Sequence, residues 1–174
     1  MHSETLTTRR AFLVGCAAGL LAPSARASHL TVGAPAPATT LLTLDGRSIS
    51  TGDLLGQVVV VTFWATYCSP CRTELPLLSR FAAAHASEGL TVLGFSVDGE
   101  ESLAEVSAIA RDLTFPVGLL SRSRAEGYGR IWRLPVSFTI DRTGRLANDG
   151  WRDREPVLTS ARLDALVMPL LKMG

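Results

Sequence analysis

The sequence predicts an α/β domain, and three observations predict it. Residues 58–64 read Val-Val-Val-Val-Thr-Phe-Trp, a short apolar and β-branched run bounded upstream by Gly56. That is the pattern of a parallel strand buried on both faces. A helical pattern follows at once, with Leu75, Leu78, Phe81, Ala82 and His85 recurring at helical spacing. The same order returns downstream, where the apolar run 90–97 precedes a helical pattern over 101–113. Strands that alternate with helices in this way stack as layers around one sheet.

The elements follow in order. Residues 28–38 are rich in Pro and Ala and are expected to be extended or flexible, with the folded domain spanning 39–174. Short strand patterns at 39–44 and 47–49 are joined by Asp45-Gly46, a strong hairpin signal. Residues 50–56 form a turn before the central strand. The helix after it runs over 69–86 with Pro76 inside, where the lost hydrogen bond predicts a kink. Gly89 is its C-cap. In the helix over 101–113, Leu103, Val106, Ile109 and Ala110 share one face. A strand at 115–120 and a short helix at 123–132 carrying Tyr128 come next. Pro135 then immediately precedes a strand, Thr143-Gly144 makes a hairpin turn, and 145–148 is the return strand. An amphipathic helix over 156–171 closes the chain, with Leu158, Leu163, Leu166, Val167 and Leu170 inward.

Composition narrows the classes. At 174 residues the chain is one domain, and with 47% apolar residues and mean hydropathy +0.24 it can bury a core. The formal charge is +1, and the arginines that make up 16 of its 17 basic residues are scattered, so no nucleic-acid surface is indicated. Three cysteines cannot make a multi-disulfide scaffold.

The first 27 residues read as a cleavable export signal. Thr7-Thr-Arg-Arg-Ala-Phe-Leu-Val14 resembles a twin-arginine leader. Residues 11–22 form a 12-residue apolar stretch, shorter than the roughly 18–20 residues a membrane span needs. Ala25-Arg-Ala27 is an A-x-A cleavage site, so the mature chain begins near Ser28. Cleavage removes three Arg and one Glu and takes the charge from +1 to −1, with no transmembrane helix left. Leu13-Val-Gly-Cys16 resembles a lipobox, but only five residues separate Arg10 from Cys16, which disfavours lipid anchoring there. The localisation read from this leader is periplasmic.

The chemistry-bearing feature is Cys68-Ser-Pro-Cys71 at the strand-to-helix junction. Helix N-termini carry unpaired N–H groups and favour negative charge, which stabilises a thiolate. Pro70 suits the first turn because its missing N–H would have had no partner. Cys68, nearer the helix start and more exposed, is then the nucleophile, and Cys71, one turn in, resolves the mixed disulfide. A structural cysteine pair rarely takes this form, and a zinc half-site would need two more ligands, which His29, His85 and Cys16 do not supply by spacing.

Trp64-Ala-Thr-Tyr-Cys-Ser-Pro-Cys-Arg-Thr-Glu-Leu-Pro76 closely resembles the active-site stretch of TlpA/ResA-like thiol-disulfide oxidoreductases, membrane-side proteins of the thioredoxin fold. Val32-Gly-Ala-Pro-Ala-Pro37 and Asp141-Arg-Thr-Gly-Arg145 resemble flanking signatures of that family, so the likeness runs from about residue 32 to 171. It departs at Tyr67, usually Trp, and at Thr62, commonly Asn there and Asp in thioredoxins. The resemblance implies a thioredoxin-like fold: a central mixed sheet flanked by helices, with an N-terminal hairpin and a βα insertion. It implies a redox-active Cys68–Cys71 disulfide and no cofactor or resident metal. Glu74 completes C-x-x-C-x-x-E, an arrangement in which the family's Glu tunes the cysteines. Its spacing puts Glu74 on the face of Cys71, although a solvated surface carboxylate fits the same sequence. Pro135 resembles the fold's cis-proline, with Leu134 offering its main chain to a substrate and Trp64 and Tyr67 surrounding the cysteines. The implied partners are cysteine-containing clients, such as an apocytochrome c haem site or an oxidase copper site, and a membrane thiol-disulfide transporter as reductant.

Two other functions use related residues. A Cu(I) chaperone could hold copper on the two thiolates, but such proteins add a nearby His or Met, and Met168, Met173 and His85 lie far along the chain. Thiol peroxidases of the same fold class place Thr three residues before the reactive Cys, where this chain has Ala65.

Overall fold

The computed structural model describes residues 30–173. The leader and Cys16 lie outside the described residues. The elements are β1 (Thr40–Leu42), β2 (Ser48–Ser50), β3 (Val58–Trp64), α1 (Ser69–His85), β4 (Leu90–Ser96), α2 (Leu103–Ala110), β5 (Val117–Leu119), β6 (Val136–Ile140), β7 (Leu146–Asn148) and α3 (Ser160–Lys172). A five-stranded mixed sheet has the order β5-β4-β3-β6-β7, parallel across β5-β4-β3 and antiparallel beyond. β1 and β2 form a separate antiparallel ribbon. Gly46 closes it at φ +85°, a conformation that residues with a Cβ rarely adopt.

β3 is central because all seven of its side chains can be buried. Alternation then divides the core into two. Val58, Val60 and Trp64 pack with Leu75 and Leu78 of α1, Val106 of α2, and Leu163 and Val167 of α3. Val59, Val61 and Phe63 face the other way, against Phe95, Phe138, Tyr128 and Leu41. Thr62 is the one polar member of the strand, and its hydroxyl accepts a hydrogen bond from Ser137 Oγ at 2.9 Å on the neighbouring strand. The pair satisfies itself where a buried acid would have needed its own partners.

The structure corrects several expectations about extent. Residues 123–132 are not a helix: only Glu126–Tyr128 turns, as a 3-10 segment. Glycines on both sides of Tyr128 weaken a helix, and Gly129 at φ +77° cannot continue one. α2 is shorter than its periodic pattern, entered through a 3-10 turn at Glu100–Ser102. α3 begins only at Ser160, capped by the Thr159 side chain, so Leu158 is buried ahead of it, and Leu171 joins the buried face that Leu166 and Leu170 flank. Pro76 stays within an unbroken α1. The segment before the hairpin is pinned rather than loose, since Gly33, Ala34 and Ala36 exchange main-chain hydrogen bonds with Gly144 and Leu146.

Candidate active site

Cys68 caps α1 from an extended backbone conformation, φ −86° and ψ 98°, and its Sγ accepts the Cys71 N–H at 3.3 Å. Pro70 occupies the first turn, as its missing N–H allows. Cys68 and Cys71 are disulfide-bonded with Cα atoms 5.3 Å apart. Cys68 is 8% exposed and Cys71 1%, so a substrate reaches the first sulfur and not the second. The pair fits dithiol–disulfide exchange.

The loop that delivers Cys68 to the helix is braced from the adjacent strand end. Asp98, buried after β4, accepts from Thr66 N–H at 2.9 Å and Thr66 Oγ at 2.7 Å. It also accepts from Ser96 Oγ at 2.6 Å. Asp98 lies outside the motif that the sequence singles out. The signal was there in register: Trp64 pairs with Ser96, so residues two beyond each, Thr66 and Asp98, emerge side by side at the sheet's carboxyl edge. Val97 N–H donates to the Trp64 carbonyl at 2.9 Å and ties the same two strand ends together.

Glu74 shares the buried face of α1 with Cys71 and Leu75. It is 2% exposed, which settles against a solvated surface carboxylate. Burial raises its pKa to about 7, opposed by the Leu158 N–H that donates to Oε2 at 2.6 Å. A carboxyl group titrating near neutrality can take up and release a proton at working pH.

The remaining expected site residues divide. The Leu134–Pro135 peptide bond is cis. Leu134 lines a groove of about 410 Å³ together with Cys68, Pro70, Tyr67 and Trp132. Among the described residues, no main-chain hydrogen bond engages Leu134. Tyr67 is 76% exposed, so it belongs to the surface of the groove. Trp64 surrounds the cysteines as expected, packing in the core with both, but as a substrate-binding residue it is corrected, since it is fully buried and does not line the groove. Trp132 was missed, because nothing in its sequence neighbourhood distinguishes it from a core aromatic.

Neither rival chemistry gains a residue. Ala65 brings no hydroxyl towards Cys68, and the Thr66 hydroxyl is spent on Asp98. His85 sits at the far end of α1 with Nδ1 2.6 Å from Glu88 Oε1, so it adds no third ligand to the cysteines.

The chain is similar to proteins with this geometry. It is 30% identical over 115 residues to the thiol-disulfide oxidoreductase ResA of Bacillus cereus, covering 66% of each chain. The match thus spans just under two thirds of that relative's length. A thiol:disulfide interchange protein of the thioredoxin family from Chlorobium tepidum superposes with TM-score 0.65 at 27% identity, covering 79% of this chain and 96% of that one. The thioredoxin domain of a thiol-disulfide oxidoreductase from Bacteroides vulgatus does so with TM-score 0.64 at 29% identity, covering 82% and 99%. These likenesses confirm the thioredoxin-like fold. Residues 32–148, which hold the cysteine pair, the cis-proline and all but the last helix of the fold, match the AhpC/TSA family, and the chain belongs to it.

Proposed function

We propose that the protein is an exported thiol–disulfide oxidoreductase that reduces disulfides in client proteins. The observation that carries the reading is the placement of Cys68, which caps α1 at the wall of an open groove while bonded to a buried partner. The names of the relatives, thiol-disulfide oxidoreductase and thiol:disulfide interchange protein, support the same chemistry.

In the reduced protein the Cys68 thiolate is favoured by the Cys71 N–H and the helix N-terminus. It attacks a client disulfide, forms Cys68–S–S–client and releases one client thiolate. Cys71 then loses its proton to Glu74, and its thiolate attacks the Cys68 sulfur. The Cys68–Cys71 bond forms and the second client thiolate leaves. Two electrons pass from protein to client, and an external dithiol, a membrane thiol-disulfide transporter in this reading, returns them. Clients with paired cysteines, such as an apocytochrome c haem site or an oxidase copper site, fit this role.

Export rests on the leader over residues 1–27, and among the described residues no helix is long and apolar enough to cross a membrane. Mature protein from its native host should start near Ser28 by intact mass, and retained Met1 or a lipid on Cys16 would overturn the leader reading. Direction is tested by the potential of the Cys68–Cys71 couple. A value below about −200 mV fits a reductant, and one near −120 mV, the range of strong oxidants, overturns it.

A further inference from the structure

Trp132 is 66% exposed and nevertheless held in place. Its ring stacks on Trp151 with centroids 5.3 Å apart and planes inclined by 16°. Trp151 is itself anchored: Nε1–H donates to the Tyr128 carbonyl at 2.9 Å, and the ring meets Phe138 edge-on at 5.6 Å. Arg133 donates to the Gly150 carbonyl, and its guanidinium carbon lies 5.3 Å from the Trp132 centroid and 6.0 Å from that of Trp151. The core thus fixes a large apolar ring that remains open to solvent.

Its position gives that arrangement a use. Six large hydrophobic residues are exposed among the described residues, and the two aromatic ones, Tyr67 and Trp132, both line the groove that holds Cys68. The groove does not end there. Val97 and Ile131 also line a second hollow of about 330 Å³ that reaches Glu126 and Arg130. Cys68 and the two rings line the same groove, so a client chain that brings its sulfur to Cys68 along it lies against them. An exposed aromatic already fixed in one orientation loses little freedom on contact, which is how interface anchors gain affinity.

We propose that Trp132, with Tyr67, is a specificity-determining clamp for client segments that carry an aromatic side chain beside the disulfide cysteine. The inference rests on the exchange chemistry proposed above. The occupant is a single extended stretch of client chain, with its cysteine at Cys68 and its aromatic neighbour packed against the exposed part of the Trp132 ring.

The test uses two disulfide peptides identical except for Trp or Ser next to the cysteine, reduced by the dithiol form of the whole protein. The wild type should show kcat/KM about five- to tenfold higher for the Trp peptide, the range expected of one aromatic contact. Trp132→Ala should bring that ratio close to one, and Tyr67→Ala should lower it by about two- to threefold. The ratio cancels any loss of folded or active protein that affects both peptides alike. A wild-type ratio near one, or a ratio unchanged in Trp132→Ala, would overturn the clamp while leaving the exchange reading standing. A wild type that reduced neither peptide nor oxidised glutathione would overturn the exchange reading and the clamp with it.

Discussion

The β3–α1 junction and the connection between β5 and β6 both line the groove at Cys68, and they are built on different principles. The junction is regular: a fully buried strand, a helix with a side-chain cap, and a loop held by two hydrogen bonds from Thr66 to Asp98. The β5–β6 connection contains only short 3-10 turns and is held by the stacked tryptophans, Arg133 and one cis peptide bond. The reactive sulfur, whose position must be exact, sits on the regular side. Of the two exposed rings that line the groove, Tyr67 sits on the junction loop and Trp132 on the irregular side, where substitutions cost the fold less. Two buried carboxyl groups sharpen the contrast within the regular side. Asp98 accepts from three donors and acts as a brace, while Glu74 accepts from one and is raised to about 7.

The largest expected effect lies at the sulfurs themselves. Cys68→Ser should abolish exchange, while Cys71→Ser should accumulate a mixed disulfide with clients, visible on non-reducing gels. Trapping by Cys68→Ser instead would reverse the order of attack. Next comes the brace. Asp98→Ala leaves the Thr66 N–H, the Thr66 hydroxyl and the Ser96 hydroxyl without their acceptor, which should cost roughly 3–4 kcal/mol in urea unfolding at about 1–3 kcal/mol per group left unpaired, partly relieved by water. A loss under 1 kcal/mol would show that the loop does not depend on Asp98.

Glu74 should give the third effect, and its sign is opposite to that of a salt-bridged acid. The folded pKa lies above the ordinary glutamate value of 4.5, so the folded state holds a proton that the unfolded state has released between pH 4.5 and about 7. Stability is therefore greatest below 4.5, falls as pH rises across that window, and is level above it. The loss is about 3 kcal/mol, from roughly 1.4 kcal/mol per unit. Glu74→Gln in the oxidised protein should remove this dependence, with the gain over wild type seen at pH 8 and absent at pH 4. In the reduced protein the same change removes a negative charge beside Cys71, so the apparent pKa values of the cysteine pair should fall by thiolate absorbance. Release of the mixed disulfide should slow nonetheless, because the proton acceptor has gone. An unshifted titration with a wild-type rate would leave Glu74 a bystander. The smallest effect is at the irregular wall: Trp151→Phe keeps a ring under Trp132 but loses the bond to the Tyr128 carbonyl, for about 1 kcal/mol in unfolding.

What the sequence by itself determined was local. The β-branched run of β3, the helical spacing after it, the Cys68–Cys71 pair at their junction and the Asp45-Gly46 and Thr143-Gly144 turns each depend on residues within a few positions of one another. A three-residue spacing was enough to put Glu74 on the face of Cys71. Only the tertiary structure decided what those residues meet. Leu158, 84 positions from Glu74, supplies a hydrogen bond to its buried carboxylate. Asp98 reaches Thr66 across 32 positions because two parallel strands end in register. Trp132 became a fixed surface ring only when Trp151 came beneath it, and Trp64 became core only when three helices covered its face of the sheet. The helix expected over 123–132 failed for the same reason in reverse: its apolar residues were recruited singly by distant partners, Tyr128 by Phe63 and Phe138, Trp132 by Trp151. Periodicity reports which side chains seek burial, but the partners that bury them are set by how the whole chain closes.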